Sequence, residues 1–172
     1  MPRRRRVGRP RVYATNAARQ RAYRQRKKRS VHFQSQTAEW ATPQDLFDSL
    51  NHEFNFLLDV CATAENAKCA QFFTKKENGL VQPWVGTCFC NPPYGSQIRH
   101  WIEKAFRSSQ EGATVVLLLP ARTDTQYWHD YVTRASEIRF LKGRLRFGGP
   151  PNSAPFPSAI VVFRPPVSLE SD

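Results

Sequence analysis

The sequence predicts an α/β fold: a mostly parallel sheet with helices on both faces and an antiparallel C-terminal edge. Three observations predict it. Helix-period and strand-like segments alternate through residues 38–166, the pattern of strands joined by crossover helices. The runs FLL and VVLLL are apolar throughout, as strands covered on both faces are. Near the C-terminus SEIRFLKGRLRFGG and FPSAIVVFR follow one another with no helix between them, so they read as an antiparallel pair.

The elements follow in order. In TPQDLFDSLNHEF, Thr42 reads as an N-cap with Pro43 in the first turn. Leu46, Phe47 and Leu50 give that helix its apolar face. FNFLLDVCA reads as a buried strand ending at Asp59, AENAKCAQFF as a helix, and GTCFCNPPY as a strand running into a turn. SQIRHWIEKAFRSSQEG is amphipathic on Ile98, Trp101, Ile102, Ala105 and Phe106, with Gly112 as its stop. ATVVLLLP is a central strand. DTQYWHDYVTRA reads as a helix capped by Asp124, before the two closing strands.

Charge divides the chain. The 172 residues carry a net charge of +12. Residues 1–30 hold thirteen basic side chains and no acid, so the other thirteen basic residues face all 14 acids and the remainder is near neutral. The basic segment reads as a nucleic-acid-binding tail, residues 31–37 as a linker, and 167–172 as a C-terminal tail. Within the tail, RRRRVGRPR resembles an AT-hook. Gly8 permits close backbone approach, Pro10 keeps the chain extended, and Arg4, Arg5, Arg6, Arg9 and Arg11 suit a narrow, negative minor groove. Residues 16–28 favour a helix.

No run of about 18 apolar residues offers a membrane span. The basic N-terminus lacks the apolar stretch of a secretory signal, so the expected compartment is the cytoplasm. Cys61, Cys69, Cys88 and Cys90 form no C-x-x-C pair. They read as buried free thiols, and no metal is expected.

The chemistry gathers at strand ends, where open α/β sheets bind ligands. One such end is Asp59; the other is the tetrapeptide Asn91-Pro92-Pro93-Tyr94. Each residue before a proline is pushed to extended angles, and neither proline offers an N–H. The result is a rigid ledge with two acceptors, the Asn91 side-chain oxygen and the Pro92 carbonyl, beside the flat ring of Tyr94. An exocyclic amine of a nucleobase suits such a ledge. Its lone pair is delocalised into the ring, and acceptors gripping its hydrogens stabilise the positive charge that grows on nitrogen during alkylation. Tyr94 can stack on the base, and a base in duplex DNA must first be flipped out.

At these motifs the sequence resembles the amino-methyltransferases that use S-adenosylmethionine, and more closely the phage-type DNA N6-adenine methyltransferases. The likeness runs from about residue 39 to 164 through EWATPQDLF, FLLDVCATAENAKCAQFFT, NGLVQPW, CNPPYGSQIRHWIEKA, VVLLLPARTDTQYWHDYV, IRFLKGRLRF and APFPSAIVVF. It implies a Rossmann-like methyltransferase domain, S-adenosylmethionine as cofactor, double-stranded DNA as partner, and direct displacement with no enzyme nucleophile. By the same resemblance, Trp40 and Thr42 approach the methionine end of the cofactor. Asp59, Val60, Cys61 and Ala62 form the loop that wraps it, and Asn78 lies where its adenine is held. Asn91, Pro92, Pro93 and Tyr94 take the target base. A phage or prophage origin and a place in restriction-modification follow from the likeness as well.

Two positions depart from the pattern: the first strand-end loop has no glycine, and Asn78 stands where an acid is expected. Arg144 and Arg146 alternate with Leu145 and Phe147, so they share one side of a predicted strand, as DNA-backbone contacts, as support for the target-base pocket, or as a solvated face. Other acceptors remain open for the ledge: cytosine N4, an RNA base, or a protein glutamine. So does a catalytically degenerate DNA-binding accessory protein.

Overall fold

In the computed structural model the described residues are Gln20, 40–147 and 153–167. The tail residues Arg4, Arg5, Arg6, Gly8, Arg9, Pro10 and Arg11, the predicted helix 16–28 apart from Gln20, the linker 31–37 and residues 168–172 lie outside them. Residues 40–147 and 153–167 all belong to one compact unit, Ala38–Asp172.

Six strands form one sheet in the order β2-β1-β3-β4-β6-β5. They are β1 (Leu58–Asp59), β2 (Gln71–Phe72), β3 (Thr87–Cys90), β4 (Thr114–Pro120), β5 (Glu137–Phe140) and β6 (Ser158–Phe163). β2, β1, β3 and β4 are mutually parallel. β6 is antiparallel to both β4 and β5. The last strand in sequence is therefore inserted between β4 and β5, and the reversed strand is one position in from the edge. Burial accounts for this: all six residues of β6 are buried, whereas β5 is half-buried to exposed and suits an edge.

Helices cover both faces, and the period of the strands assigns them. Val116 and Leu118 of β4, opposite Val162 and Ile160 of β6, pack with Phe47, Leu50 and Phe54 of α1 (Gln44–Phe54). Val115, Leu117 and Leu119 point the other way. They pack with Ile98, Trp101, Ile102 and Ala105 of α2 (Ile98–Gln110) and with Tyr127 and Trp128 of α3 (Gln126–Asp130). α2 stops as predicted. Gly112 takes a φ of +107°, and Ala113 N–H returns to the Ser108 carbonyl at 3.0 Å, a left-handed turn that glycine tolerates best.

Several local expectations are corrected. AENAKCAQFF is not a helix but turns leading into β2. Side chains compete with a helix here: Asp59 Oδ2 accepts from Lys68 N–H at 3.1 Å, and Asn66 Oδ1 accepts from the N–H of Thr63, just before the segment, at 2.7 Å. DTQYWHDYVTRA yields only the five residues of α3, then a 3₁₀ turn, Val132–Arg134. Thr125, not Asp124, precedes α3, and its hydroxyl donates back to the Arg122 carbonyl at 2.7 Å. Pro43 rather than Thr42 occupies the cap of α1, because the Thr42 hydroxyl is engaged by Asn91. β5 ends at Phe140, so Arg144 and Arg146 lie beyond any strand. Their alternation survives: both are exposed, while Leu145 is half-buried and Phe147 buried.

Candidate active site

A cleft of about 160 Å³ opens at the carboxyl ends of β1, β2 and β3. Its wall contains Trp40 and Thr42 from the segment before α1, and Asp59, Cys61 and Ala62 from the end of β1. Phe73, Asn78 and Gly79 come from the loop after β2, and Asn91 and Pro93 from the end of β3. Most residues singled out in the sequence thus converge on one cavity. Of the residues expected to hold cofactor or target base, Val60, Pro92 and Tyr94 do not line it, and neither do Arg144 and Arg146.

Val60 is fully buried beneath the wall. Its carbonyl lies where a Cβ on Gly79 would sit, 2.1 Å away, and Trp101 ring atoms would lie 3.2 Å from that Cβ. Glycine at 79 thus lets the two loops touch. Trp84 ties the same spot from behind, its indole N–H donating to the Gly79 carbonyl at 2.8 Å.

The glycine-free loop closes through hydrogen bonds instead of unusual backbone angles. Val60 N–H donates to Phe89 O at 3.0 Å, Ala62 N–H to Phe73 O at 3.0 Å, and Cys61 N–H to Asp59 Oδ1 at 3.3 Å. No residue from Asp59 to Thr63 has a positive φ. Asn78 has one, at 55°. Asparagine tolerates that left-handed conformation better than most side chains, a conformational reason for its presence beside any binding role.

Asp59 is 3% exposed. Burial raises its carboxyl above the usual aspartate range, opposed by the N–H groups of Lys68 and Cys61. Of the four cysteines expected to be buried, only Cys88 and Cys90 are, while Cys61 and Cys69 are half-buried. Among the cysteines, burial pushes the Cys69 thiol up to about 11 and Cys88 to about 12, and holds Cys90 protonated. None of the three is poised as a thiolate nucleophile.

Asn91 has the most constrained polar geometry. Its Nδ2 donates to the Trp40 carbonyl and, at 2.9 Å, to the Thr42 hydroxyl. The carbonyl can only accept, which fixes the orientation of the amide. Oδ1 is left buried, with no hydrogen-bond partner among the described residues. Such an atom is costly unless something else donates to it. Tyr94 donates its hydroxyl to the Leu118 carbonyl at 3.1 Å. Its ring meets Phe156 and Phe147 edge-on, with centroids 5.5 and 6.1 Å away, and Trp40 packs against the same two rings. The sequence places Phe147 in an alternating stretch but gives no sign that it meets Tyr94, and Phe156 stands in no pattern at all; both are distant from the motif. Lys68 and Phe73 of the cleft wall are not legible either, because AENAKCAQFF, which contains both, has the composition of a helix and folds instead as turns and β2.

A Rossmann-like sheet with a cleft at its strand ends and an Asn-Pro-Pro-Tyr ledge beside it defines the amino-methyltransferase class. The comparisons narrow this. Residues 29–165 match the family described as DNA N-6-adenine-methyltransferase (Dam). The chain is 32% identical over 135 residues to the DNA N-6-adenine-methyltransferase of Haemophilus phage HP1 (strain HP1c1), covering 73% of this chain and 78% of that one. It is 28% identical over 109 residues to the protein of the same name from Escherichia phage T1, covering 62% of this chain and 45% of that one. The chain belongs to the Dam family of DNA N6-adenine methyltransferases.

Proposed function

We propose that this enzyme holds S-adenosylmethionine in the cleft and delivers its methyl group to the N6 amine of an adenine turned out of duplex DNA. The donor set suits that cofactor. Asp59 and Lys68 offer opposite charges at one end of β1, and Phe73, Asn78, Gly79 and Trp101 offer a mostly apolar wall with one amide. Trp40, Thr42, Asp59, Val60, Cys61, Ala62 and Asn78 are the residues assigned to the cofactor, with Val60 acting from beneath through its contact with Gly79. When bound, S-adenosylmethionine supplies an electrophilic methyl carbon.

The chain's own part is to position and polarise the amine. The observation that carries the reading is Asn91 Oδ1: a buried acceptor with no partner among the described residues, on an amide locked by Trp40 and Thr42. An amine hydrogen satisfies it, and the lost proton leaves for solvent once nitrogen has been alkylated. Pro92 and Pro93 hold the Asn91 backbone extended. Tyr94, tethered at Leu118, presents its ring to the base. Arg144 and Arg146 lie beyond β5 and are assigned to the DNA backbone, together with the basic tail around Arg9 and Arg11. DNA in the host cytoplasm is the expected substrate. Among the described residues no helix is long and apolar enough to cross a membrane.

Incubation of the purified protein with labelled S-adenosylmethionine and DNA, followed by digestion and nucleoside mass spectrometry, tests this. N6-methyladenine is expected. N4-methylcytosine would move the assignment to another amine, and DNA binding without transfer would leave an accessory protein.

A further inference from the structure

Lys68 places a cation in the cleft wall that makes no ion pair among the described residues, although its charge is felt by the Asp59 carboxyl. The residue is half-buried and lines the cleft with Asp59. Its backbone N–H donates to Asp59 Oδ2 at 3.1 Å, which pins it beside the end of β1. Its ammonium donates to Gln44 Oε1 at 2.7 Å, and the Gln44 amide donates in turn to Asp48 Oδ1 at 2.7 Å. The group that holds Lys68 is therefore neutral. Among the described residues its ammonium forms no ion pair. An ammonium has three N–H donors, so two remain after Gln44.

We infer that Lys68 anchors the carboxylate at the amino-acid end of S-adenosylmethionine. Asp59 and Lys68 together then read a zwitterion, the acid taking the ammonium and the lysine the carboxylate. This rests on the cofactor reading above. The neighbourhood favours a zwitterion over a DNA phosphate, because a phosphate drawn to Lys68 would also meet the Asp59 carboxyl tied to the same residue. Lys75 also lines the cleft, but it is exposed and lies after β2. Lys68 is the cation tethered to the strand end and, through Gln44, to the helix that follows Trp40 and Thr42.

The test is calorimetric binding to the full-length protein, without turnover. S-adenosylmethionine is compared with its decarboxylated form, which lacks only the carboxylate. Lys68→Met is expected to weaken S-adenosylmethionine about 10- to 100-fold, the span of a charge-assisted hydrogen bond. It should leave the decarboxylated ligand unchanged or slightly tighter, and Lys68→Arg should retain most of the affinity. Equal weakening of both ligands by Lys68→Met would mark a damaged pocket and overturn the inference, as would no weakening of either. If the unaltered protein bound S-adenosylmethionine while Lys68→Met bound it equally well, this inference alone would fall. Failure of the unaltered protein to bind either ligand would remove the cofactor reading, and this inference with it.

Discussion

Asn91 Nδ2 stands 2.9 Å from Thr42 Oγ1, so two residues 49 positions apart fix the amide at the strand end. The relationship makes Thr42 a positioning residue rather than a helix cap. Asn91→Ala removes the buried acceptor and should lower kcat by about 100-fold or more, with the far-UV circular dichroism unchanged. Thr42→Val removes one acceptor of the amide and should lower kcat by about tenfold; because Thr42 also lines the cleft, some loss of S-adenosylmethionine affinity should accompany it. Thr42→Ser should restore kcat. An Asn91→Ala enzyme with full activity would refute the ledge mechanism.

Gly79 of the cleft wall sits close against Val60 beneath it. A methyl group on residue 79 would meet the Val60 carbonyl at 2.1 Å, and that carbonyl is backbone. Gly79→Ala should destabilise the fold by about 1–3 kcal/mol and weaken cofactor binding. Denaturant unfolding and calorimetry read the two effects; an unshifted midpoint would mean that the two loops separate freely.

Asp59 predicts a dependence of stability on pH. Burial raises its folded-state carboxyl above the ordinary value of 3.8. Its favourable contribution is therefore complete below that value and is lost as pH rises through the raised one. Asp59→Asn cannot ionise. Its melting temperature, relative to the unaltered protein, should climb from about pH 4 upward and then level off. Any change in hydrogen bonding from the amide is the same at every pH, so the slope isolates the carboxyl. A flat difference across pH 3–8 would contradict the burial argument.

The basic tail should act through salt-dependent phosphate contacts. Deleting residues 1–30 removes thirteen cations. DNA affinity should fall by tenfold or more at low salt, and the slope of log K against log salt should become shallower. Methyl transfer per bound duplex should persist, since every described residue of the cleft lies after position 39. Filter binding across a salt series measures this, and an unchanged slope would exclude the tail from the DNA interface.

Long, strongly patterned segments were legible. Ile98–Gln110 buries the face that its period indicated, and Thr114–Pro120 is the central strand that its apolar run required. Short segments were less so. AENAKCAQFF has helical composition, yet the Asp59 carboxylate takes the Lys68 N–H within it, and the Asn66 side chain turns back to the Thr63 N–H just before it. That competition depends on Asp59 being held at a strand end, which local sequence does not encode. The place of β6 between β4 and β5 was likewise not readable, since two adjacent strand signals do not say which of them lies inside.

By itself the sequence determined the alternating architecture, the separation of a basic tail from a near-neutral domain, and the ledge Asn91-Pro92-Pro93-Tyr94. These are properties of composition, period and proline geometry, all local. Tertiary structure decided what the ledge is tied to. Trp40 and Thr42 reach the Asn91 amide, Phe147 and Phe156 reach Tyr94, and Lys68 joins Asp59. Each pairing brings together distant stretches whose meeting depends on strand order and register. For that reason, the unpartnered oxygen of Asn91 became visible only in the folded chain.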